Sequence, residues 1–409
     1  MRVLLSTWGS RGDVEPLAGL AARLLELGAE VRVCAPADEE FVELLARIGV
    51  PLVPLGPTVH SVVTGARPPG AAFRLAPELV AARYETLTAA AEGCDVLLAT
   101  GLMPAGARSV AEKLGIRYVF ACFHTVGLPS RHRRPPSRPG TPSPAEETDN
   151  KVLWEQDAQR VNALYGEAEN THRAAIGLPP VENVRDHVFT ERPWLAADPT
   201  LVPWQDLTDL DVVTTGPWIL PDERPLPDEL ETFLKAGEPP VYVGFGSMAL
   251  HTSPDLARTA TEAIRAQGRR VLLARGWANL AAIDDRDDCL VVGEVNHQAL
   301  FGRVAAVVHH GGAGTTTTAA LAGAPQLVVP QIVDQPYWAA GVAELGIGTA
   351  HDGPTPTYDS LSAALTVVLA PETRARARAV AGTIRTDGTT VAAKMLLDPV
   401  SGERRPTRA

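Results

Sequence analysis

The stretch "VVHHGGAGTTTTAALAGAPQLVVP", Val307 to Pro330, gives the clearest local indication of the fold of this chain. A short apolar strand runs into two histidines, a glycine-rich turn and four consecutive threonines, Thr315 to Thr318. Threonine is a mediocre helix former, because its branched β-carbon restricts χ1 against the preceding turn. Either these threonines simply cap and begin a helix, or their hydroxyls and amides hold an anion. In both cases, a strand that passes through glycines into a helix indicates an α/β unit.

The same alternation of strand and helix runs along the chain in both directions. "RVLLST" and "EVRVCA" predict strands around a helix, and "CDVLLATG", "SVAEKLG" and "IRYVFACF" continue the pattern. Closer to Val307, "PVYVGFGS", "RRVLLARG" and "DCLVVGEV" predict further strands. Strands that alternate with helices form parallel sheets. The fold class is therefore predicted as α/β, in two halves.

Two proline-rich segments interrupt this alternation. Ser130 to Asp149 has no apolar period and predicts a surface loop, and Thr215 to Leu230 carries four prolines. We predict an N-terminal domain over 1–215, a linker over 216–230 and a C-terminal domain over 231–409. The last helix is a candidate to pack back on the N-terminal domain. Two such domains are expected to face each other across a cleft at the carboxyl ends of their sheets, where open α/β folds bind ligands.

Bulk composition excludes several classes of function. A net charge of −11 gives no support to binding of nucleic acid or an anionic membrane. Four scattered cysteines without CxxC spacing indicate a reducing compartment without a zinc site, and no apolar run is long enough to span a membrane. His309 and His310 are adjacent in a strand and point to opposite faces, so no bound metal is predicted. The expectation is a soluble, cytoplasmic monomer without a permanent cofactor.

From Trp277 to Gln335 the chain resembles the donor-binding signature of nucleotide-sugar-dependent glycosyltransferases of the GT-B fold, which have two Rossmann-like domains. The resemblance implies a UDP-sugar or dTDP-sugar as co-substrate. It places the diphosphate on His310, Gly312, Ala313, Gly314 and Thr315, with the Val295 backbone at the nucleobase. It places Asp334 and Gln335 at the hydroxyls of the sugar. Plant-type members carry a glutamate for the ribose where this chain has Thr318.

Physical chemistry supports parts of this assignment independently. A glycine turn that opens a helix presents unpaired amides and the positive end of the helix dipole to an anion. An aspartate beside a glutamine offers both acceptors and donors to a polyhydroxy ring. The alternatives are that Thr315 only caps a structural helix, and that Asp334 and Gln335 lie in an ordinary solvated loop.

The N-terminal turn "STWGSRGDVEPLAGLA" supplies a candidate base. It places Ser10, Arg11, Gly12 and Asp13 between the first strand and the first helix. Asp13 could be an ordinary N-cap, or it could accept the proton of an attacking hydroxyl. Direct displacement at an anomeric carbon requires that base opposite the departing diphosphate.

The "GSRGD.EPL" turn, together with "NTHRAAIGLPPVE", "TGPWILPDERPL" and "VYVGFGSM", closely resembles the bacterial glycosyltransferases that act on vancomycin-group glycopeptide antibiotics. The resemblance covers most of the chain. It implies that Asp13 is the base, that Ser10 and Arg11 lie near the diphosphate, and that Asp334 is the weaker candidate for the base.

Four further features can be explained either by a role in ligand binding or by a purely structural role. Ser247 could touch phosphate or sugar or be a plain turn serine, and Trp277 could stack on the base or be buried structure. His124, at the end of a strand, faces either the acceptor or the core. The Arg131–Arg138 run could guide an acidic acceptor, although a solvated basic loop is commoner.

Three functions are weighed. The first is an inverting transferase that moves glucose or N-acetylglucosamine from UDP to a hydroxyl of a vancomycin- or teicoplanin-class aglycone. Its variant is transfer of a deoxyaminosugar from dTDP to the same scaffold. The second is a nicotinamide-dependent oxidoreductase, disfavoured because "GSRGDVE" lacks GxGxxG and no acidic residue ends the second strand. The third is a noncatalytic sugar-nucleotide or natural-product binding protein.

Overall fold

The computed structural model describes residues 1–65, 71–136, 149–203, 210–246 and 255–398. These residues form two compact units. The first comprises the described residues of Met1–Ala197, Trp204–Leu220 and Thr386–Ala409, and the second those of Asp198–Pro203 and Pro221–Arg385. The chain crosses between the units more than once, and the crossing at Leu220 and Pro221 lies inside the segment predicted as the linker.

The first unit is built on seven parallel strands: β1 (Arg2–Trp8), β2 (Glu30–Ala35), β3 (Leu52–Pro54), β4 (Val96–Gly101), β5 (Arg117–Cys122), β6 (Trp194–Leu195) and β7 (Val213–Thr214). Their order in the sheet is β3-β2-β1-β4-β5-β6-β7. The accompanying helices are α1 (Arg11–Glu26), α2 (Glu39–Arg47), α3 (Val59–Thr64), α4 (Ala71–Ala90), α5 (Ala107–Leu114), α6 (Asn150–Ala175) and α7 (Val184–Phe189).

The second unit is built on six parallel strands: β8 (Val241–Gly244), β9 (Val271–Ala274), β10 (Cys289–Val292), β11 (Ala306–His309), β12 (Gln326–Val328) and β13 (Gly348–Ala350). Their order is β10-β9-β8-β11-β12-β13. The helices are α8 (Asp228–Lys235), α9 (Leu256–Ala266), α10 (His297–Leu300), α11 (Ala313–Leu321), α12 (Gln335–Glu344), α13 (Tyr358–Val368) and α14 (Pro371–Ala381), and a 3₁₀ turn spans Phe301–Arg303.

The central strands are apolar because helices cover both faces of each sheet. Six of the seven residues of β1 are buried, as are all four of β8 and all four of β11. Strands of a parallel sheet that are buried on both faces are continuous apolar runs rather than alternating ones. The predicted α/β class, with parallel sheets in both halves, is confirmed.

The last helix, α15 (Gly388–Leu397), belongs to the first unit and packs against α1. Gly388 begins this helix directly against the backbone of Gly216 and Pro217, where a side chain would collide. The guanidinium of Arg117 on β5 donates to the carbonyl of Met395 (3.2 Å) in the same helix.

Both proline-rich segments differ in detail from the prediction. Helix α8 begins at Asp228, two residues before the predicted linker ends, because Asp228, Glu229 and Glu231 stabilise the positive end of the helix and Leu230 is buried. In the predicted surface loop, residues 130–136 form neither helix nor strand, residues 137–148 lie outside the described residues, and Asp149 caps α6 through the amide of Lys151 (2.8 Å).

Candidate active site

In the second unit the strand order changes direction between β8 and β11, and ligands bind beyond the carboxyl ends of the strands at such a point in open α/β sheets. Three loops leave the sheet there. Gly246 follows β8, and a Cβ at this glycine would lie 3.4 Å from Cε1 of His310, which follows β11. The amide of Trp277, after β9, donates to the Gly246 carbonyl (2.9 Å). The fold thus brings His310 and Trp277, two predicted site residues, to one edge of the sheet.

The buried side chain of His309 stabilises the turn between β11 and α11. The side chain is fully buried, and its Nδ1 accepts the Gly311 amide (3.1 Å) while Nε2 donates to Oε1 of Gln326 (2.9 Å). This pattern needs a neutral imidazole. Burial lowers the pKa of His309 to about 3, so the ring is uncharged at neutral pH.

The four threonines do not cap α11. Its N-cap is Gly312, which has extended backbone angles and no side chain to offer, so Thr315 lies in the first turn instead. Thr316 Oγ1 donates to the Gly312 carbonyl (2.9 Å), and Thr316 and Thr317 are buried. Without a side-chain cap, the first amides of the helix, those of Ala313, Gly314 and Thr315, point past Gly312. This end of α11 is suited to an anion.

His310 lies beside this helix end and is half-buried. A Cβ at Gly312 would lie 2.7 Å from Nε2 of His310, so this nitrogen faces the N-cap. Its Nδ1 is buried and finds no hydrogen-bond partner among the described residues. Burial lowers the pKa of His310 to about 4, although the carboxylate of Asp334 acts in the opposite direction. At neutral pH the ring is therefore neutral, with one N–H to donate to a phosphate oxygen.

Asp334 and Gln335 begin a helix rather than lying in the loop after β12. Asp334 is the N-cap of α12, and its Oδ2 accepts the indole N–H of Trp338 (2.8 Å). Gln335 is buried, and its Oε1 accepts the amides of Gln331 (2.8 Å) and Ile332 (3.0 Å). The side-chain oxygen Oε1 of Gln335 therefore holds the loop that precedes α12 in place.

That loop is strained where it reaches Asp334. Val333 has a φ of 54°, in the left-handed region that a β-branched residue rarely adopts. The hydrogen bonds accepted by Oε1 of Gln335 hold Gln331 and Ile332, the two residues before Val333. A Cβ at Gly311 (φ 93°) would lie 3.1 Å from the backbone carbonyl oxygen of Gln335. Strain that the surroundings maintain is found at ligand sites.

The remaining predicted donor residues lie around this edge or outside the described part. Trp277 is half-buried in the loop after β9. Val295 lies in the loop after β10, and its side chain is buried in the apolar cluster that includes Val292, Leu300 and Phe301. Ser247 lies outside the described residues.

In the first unit the corresponding change of direction lies between β1 and β4, and Asp13 is next to it. The N-cap of α1 is Ser10, so Asp13 is not the N-cap but the third helical residue, and its amide donates to the Ser10 carbonyl (2.9 Å). Its carboxylate folds back over Gly9, where any side chain would overlap it. Gly12 is exposed, and the positive end of α1 stabilises the negative charge of Asp13.

Arg11 makes local ion pairs in the same turn. Its Nε donates to Oε2 of Glu15 (2.7 Å), and its Nη1 lies 3.9 Å from Oε2 of Glu40. If Arg11 binds a diphosphate, as predicted, its guanidinium must leave these carboxylates or contact both them and the diphosphate. The side chain of Ser10 makes no capping hydrogen bond to α1.

His124 and the basic run lie beyond the end of β5. His124 is half-buried, and its Nδ1 is buried without a hydrogen-bond partner among the described residues. In the basic run, Arg133 Nη2 donates to the Thr125 carbonyl (3.2 Å), so this arginine holds its own loop. Arg138 lies outside the described residues.

Lowering the pH from 7 to 5 is expected to destabilise the second unit through His309. The unfolded imidazole, with a pKa of about 6.5, binds a proton in this range and the native one does not, so stability falls as the pH falls. The cost at pH 5 is about 2 kcal/mol for this residue. His309→Gln removes it, and calorimetric unfolding at pH 7 and 5 should show a smaller loss for the variant. His60→Gln, at an exposed histidine, should behave as wild type; an equal loss in all three proteins would contradict the prediction.

Sequence reasoning missed the residues that build the site without touching a ligand. Gly246, Gly276 and Gly311 all have positive φ, and a Cβ at Gly276 would lie 2.7 Å from the Gly246 carbonyl oxygen. Gly246 lies in "GFGS" and Gly276 in "ARGW", each at the end of a predicted strand. That position is a sequence signal from which both glycines could have been predicted as turn residues. Arg83, buried in α4 against the loop after β4, has no local signal at all.

Two general features bear on the chemistry. Among the described residues, no three histidine, cysteine or acidic side chains are grouped as metal ligands would be. In the same parts of the chain, no helix has the length and apolar character to cross a bilayer.

Comparison with solved structures shows the fold. The fold matches a glycosyltransferase of kitacinnamycin (TM-score 0.72, 21% identity, 97% of this chain and 98% of that one). It also matches the glycosyltransferase VinC in complex with dTDP (TM-score 0.67, 21% identity, 97% and 99%). The chain therefore has the two-unit α/β architecture called the GT-B fold.

Sequence comparison then gives the family. Residues 275–395 match the erythromycin biosynthesis protein CIII-like C-terminal domain. Over 99% of both chains, the protein is 57% identical to glycosyltransferase GtfE and to the vancomycin aglycone glucosyltransferase of Amycolatopsis orientalis. It is 54% identical, with the same coverage, to the dTDP-epi-vancosaminyltransferase of that organism. The chain belongs to the glycosyltransferases of glycopeptide antibiotic biosynthesis, as the resemblance implied.

Proposed function

We propose that this protein is an inverting glycosyltransferase that moves glucose or N-acetylglucosamine from UDP to a hydroxyl of a vancomycin- or teicoplanin-class aglycone. The observation that carries the proposal is the second unit's helix end, where Gly312, the first amides of α11 and a neutral His310 converge beside Asp334. A diphosphate next to a sugar fits this set of donors and acceptors.

The donor is assigned to the second unit residue by residue. The amides of Ala313, Gly314 and Thr315 and the N–H of His310 bind the diphosphate oxygens. Trp277 and the Val295 backbone face the nucleobase. Asp334, oriented by Trp338, accepts hydrogen bonds from the sugar hydroxyls. These donors also stabilise the negative charge that develops on the departing diphosphate.

The first unit supplies the proton acceptor. The acceptor oxygen forms a bond to the anomeric carbon as the bond from that carbon to the diphosphate oxygen breaks, and UDP leaves with the electron pair. The hydroxyl proton passes to a carboxylate oxygen of Asp13. Attack opposite the leaving group inverts the anomeric configuration. Asp13 suits this step because it lies in the first turn of α1, where the helix dipole favours a negative charge, and because Gly9 leaves room for its carboxylate.

Transfer of a deoxyaminosugar from dTDP is the alternative. Its support is the 54% identity with a dTDP-epi-vancosaminyltransferase, only slightly below the 57% identity with a glucosyltransferase. The carboxylate of Asp334 favours a fully hydroxylated sugar, because a deoxygenated ring has fewer hydroxyls to donate to it. Oε1 of Gln335 already accepts the amides of Gln331 and Ile332, so it adds little to this preference.

A donor screen tests the proposal. UDP-glucose, UDP-N-acetylglucosamine and a dTDP-deoxyaminosugar are each incubated with vancomycin aglycone and teicoplanin aglycone, and the products are read by mass. A hexose adduct from a UDP-sugar, with β configuration by NMR from an α-linked donor, is the expected result. An adduct from dTDP-deoxyaminosugar alone would establish the alternative. Donor binding without any transfer would instead indicate a noncatalytic binding protein.

A further inference from the structure

Arg83 is a buried cation that holds one loop of the first unit. It lies on α4 with only 1% of its surface exposed. Its Nη1 donates to the carbonyls of Met103 (3.0 Å) and Ala105 (3.3 Å), and its Nη2 donates to that of Leu102 (2.8 Å). Burial of a guanidinium opposes folding strongly unless its protons are satisfied. Three carbonyls of the loop over Gly101–Gly106 accept hydrogen bonds from this guanidinium, so this 101–106 loop and the cation depend on each other.

The 101–106 loop has a strained backbone. Met103 has a φ of 24°, and Gly101 and Gly106 have φ values of 84° and 97°. A Cβ at Gly101 would lie 2.5 Å from Thr7 Oγ1, and one at Gly106 would lie 3.2 Å from the ring of Tyr84. A conformation that needs two glycines, a strained methionine and a buried cation is a rigid one, and such devices occur where a fold positions a ligand.

Only one side chain of the 101–106 loop is largely exposed, and it is apolar. Leu102 is 45% exposed, whereas Met103 and Ala105 are buried. Its place in the fold is specific: Gly101 pairs with Trp8 in the register of β4 and β1, and the Leu102 amide donates to the Trp8 carbonyl (2.9 Å). Trp8 immediately precedes Gly9, over which the Asp13 carboxylate lies. Leu102 therefore leaves the sheet beside the turn that carries the proposed base.

We propose that the 101–106 loop is a preformed apolar wall of the acceptor site, in which Leu102 contacts a ring of the aglycone and Arg83 is the positioning residue. The inference rests on the proposed function, because the acceptor hydroxyl must reach Asp13. A hydroxyl carried on a ring brings an apolar ring face to the base with it, and an exposed leucine in a rigid loop meets that face without ordering anything further.

Leu102→Ser tests the contact, because an exposed side chain can be changed without disturbing the fold. Vancomycin aglycone binding is measured by titration calorimetry, and the KM for the aglycone and for UDP-glucose by steady-state kinetics. We expect the aglycone Kd and KM to rise about five- to ten-fold, from loss of roughly half a leucine's contact area. The KM for UDP-glucose should stay unchanged. Leu102→Met, which keeps an apolar side chain, should restore aglycone binding.

Leu27→Ser is the matched control, since Leu27 is 39% exposed and lies at the opposite end of α1 from Ser10. It should alter neither constant. An aglycone Kd for Leu102→Ser within two-fold of wild type would overturn the inference. Strong aglycone binding by wild type without sugar transfer would overturn the proposed function alone.

Arg83→Lys tests the positioning role. Lysine is a point charge and cannot serve three carbonyls as a planar guanidinium does. For the folded variant we expect the aglycone KM to rise with the KM for UDP-glucose unchanged, a split that general destabilisation would not produce. Equal changes in both constants would overturn the positioning role, and if Arg83→Lys does not fold, the Leu102 pair still decides the proposal.

Discussion

Replacing Asp13 with asparagine is expected to reduce sugar transfer by about 10²–10⁴-fold, the usual contribution of a placed general base. Asparagine has nearly the same shape as aspartate, so it fits over Gly9 and preserves the turn between β1 and α1. It cannot accept the proton of the attacking hydroxyl. Affinity for UDP-sugar should be unchanged, because the Asp13 carboxylate is assigned to the acceptor hydroxyl and not to the donor. The measurement is kcat with vancomycin aglycone at saturating donor, with donor binding followed by calorimetry.

Asp334→Asn is the matched comparison, since Asp334 is the other carboxylate considered as a base. Asparagine keeps an oxygen that can accept the Trp338 indole N–H, so the start of α12 is retained. We expect this variant to raise the KM for UDP-sugar more than it lowers kcat. Activity of Asp13→Asn within a few-fold of wild type would exclude Asp13 as the base. A larger fall in kcat for Asp334→Asn would transfer the role to Asp334.

Replacing His310 with alanine is expected to weaken binding of UDP-sugar by about 10- to 100-fold. A hydrogen bond to a charged group contributes about 1.5–3 kcal/mol, and the neutral His310 ring offers one to the diphosphate. Nδ1 is buried without a partner among the described residues, so the change breaks no structural hydrogen bond at this atom. Loss of affinity should therefore come without a large fall in the unfolding temperature.

The experiment compares His310→Ala with His310→Gln, which retains an N–H donor, and with His60→Ala at an exposed histidine of α3. Calorimetric titration with UDP-glucose should show partial recovery for glutamine and wild-type affinity for His60→Ala. Unchanged affinity in His310→Ala would remove this residue from the diphosphate site. An equal loss for His310→Ala and His310→Gln would mean that the ring contributes by its shape rather than by its N–H.

Much of the architecture was accessible from local patterns. Apolar runs predicted most of the strands of both sheets, because strands covered on both faces carry little else. The strand–helix–strand order from "RVLLST" to "EVRVCA" predicted α1, and the strand–glycine–helix order of Val307–Pro330 predicted β11 and α11. The long ordered resemblance gave the family, which the 57% identity with two of its members confirms. The roles of the individual site residues stay predictions.

Local patterns were wrong about how the helices begin. Thr315 and Asp13 each have a side chain that prefers the N-cap, yet Gly312 and Ser10 occupy it. Asp334, expected in a loop, caps a helix. Which residue becomes the N-cap depends on where the preceding strand ends. The end of that strand is set by its pairing with strands that are distant in sequence. Cap preference alone cannot shift that point by even one turn.

The order of residues along the chain thus specifies the two α/β halves, the glycine turn beneath the candidate diphosphate site and the family, because each depends on neighbours within one strand, turn or helix. Folding alone determines that Arg83 grips the carbonyls of residues 102, 103 and 105. It alone determines that His309 orders its own turn with help from Gln326. These are hydrogen bonds between groups that the sheets bring together across many residues, and short-range periodicity carries no record of them.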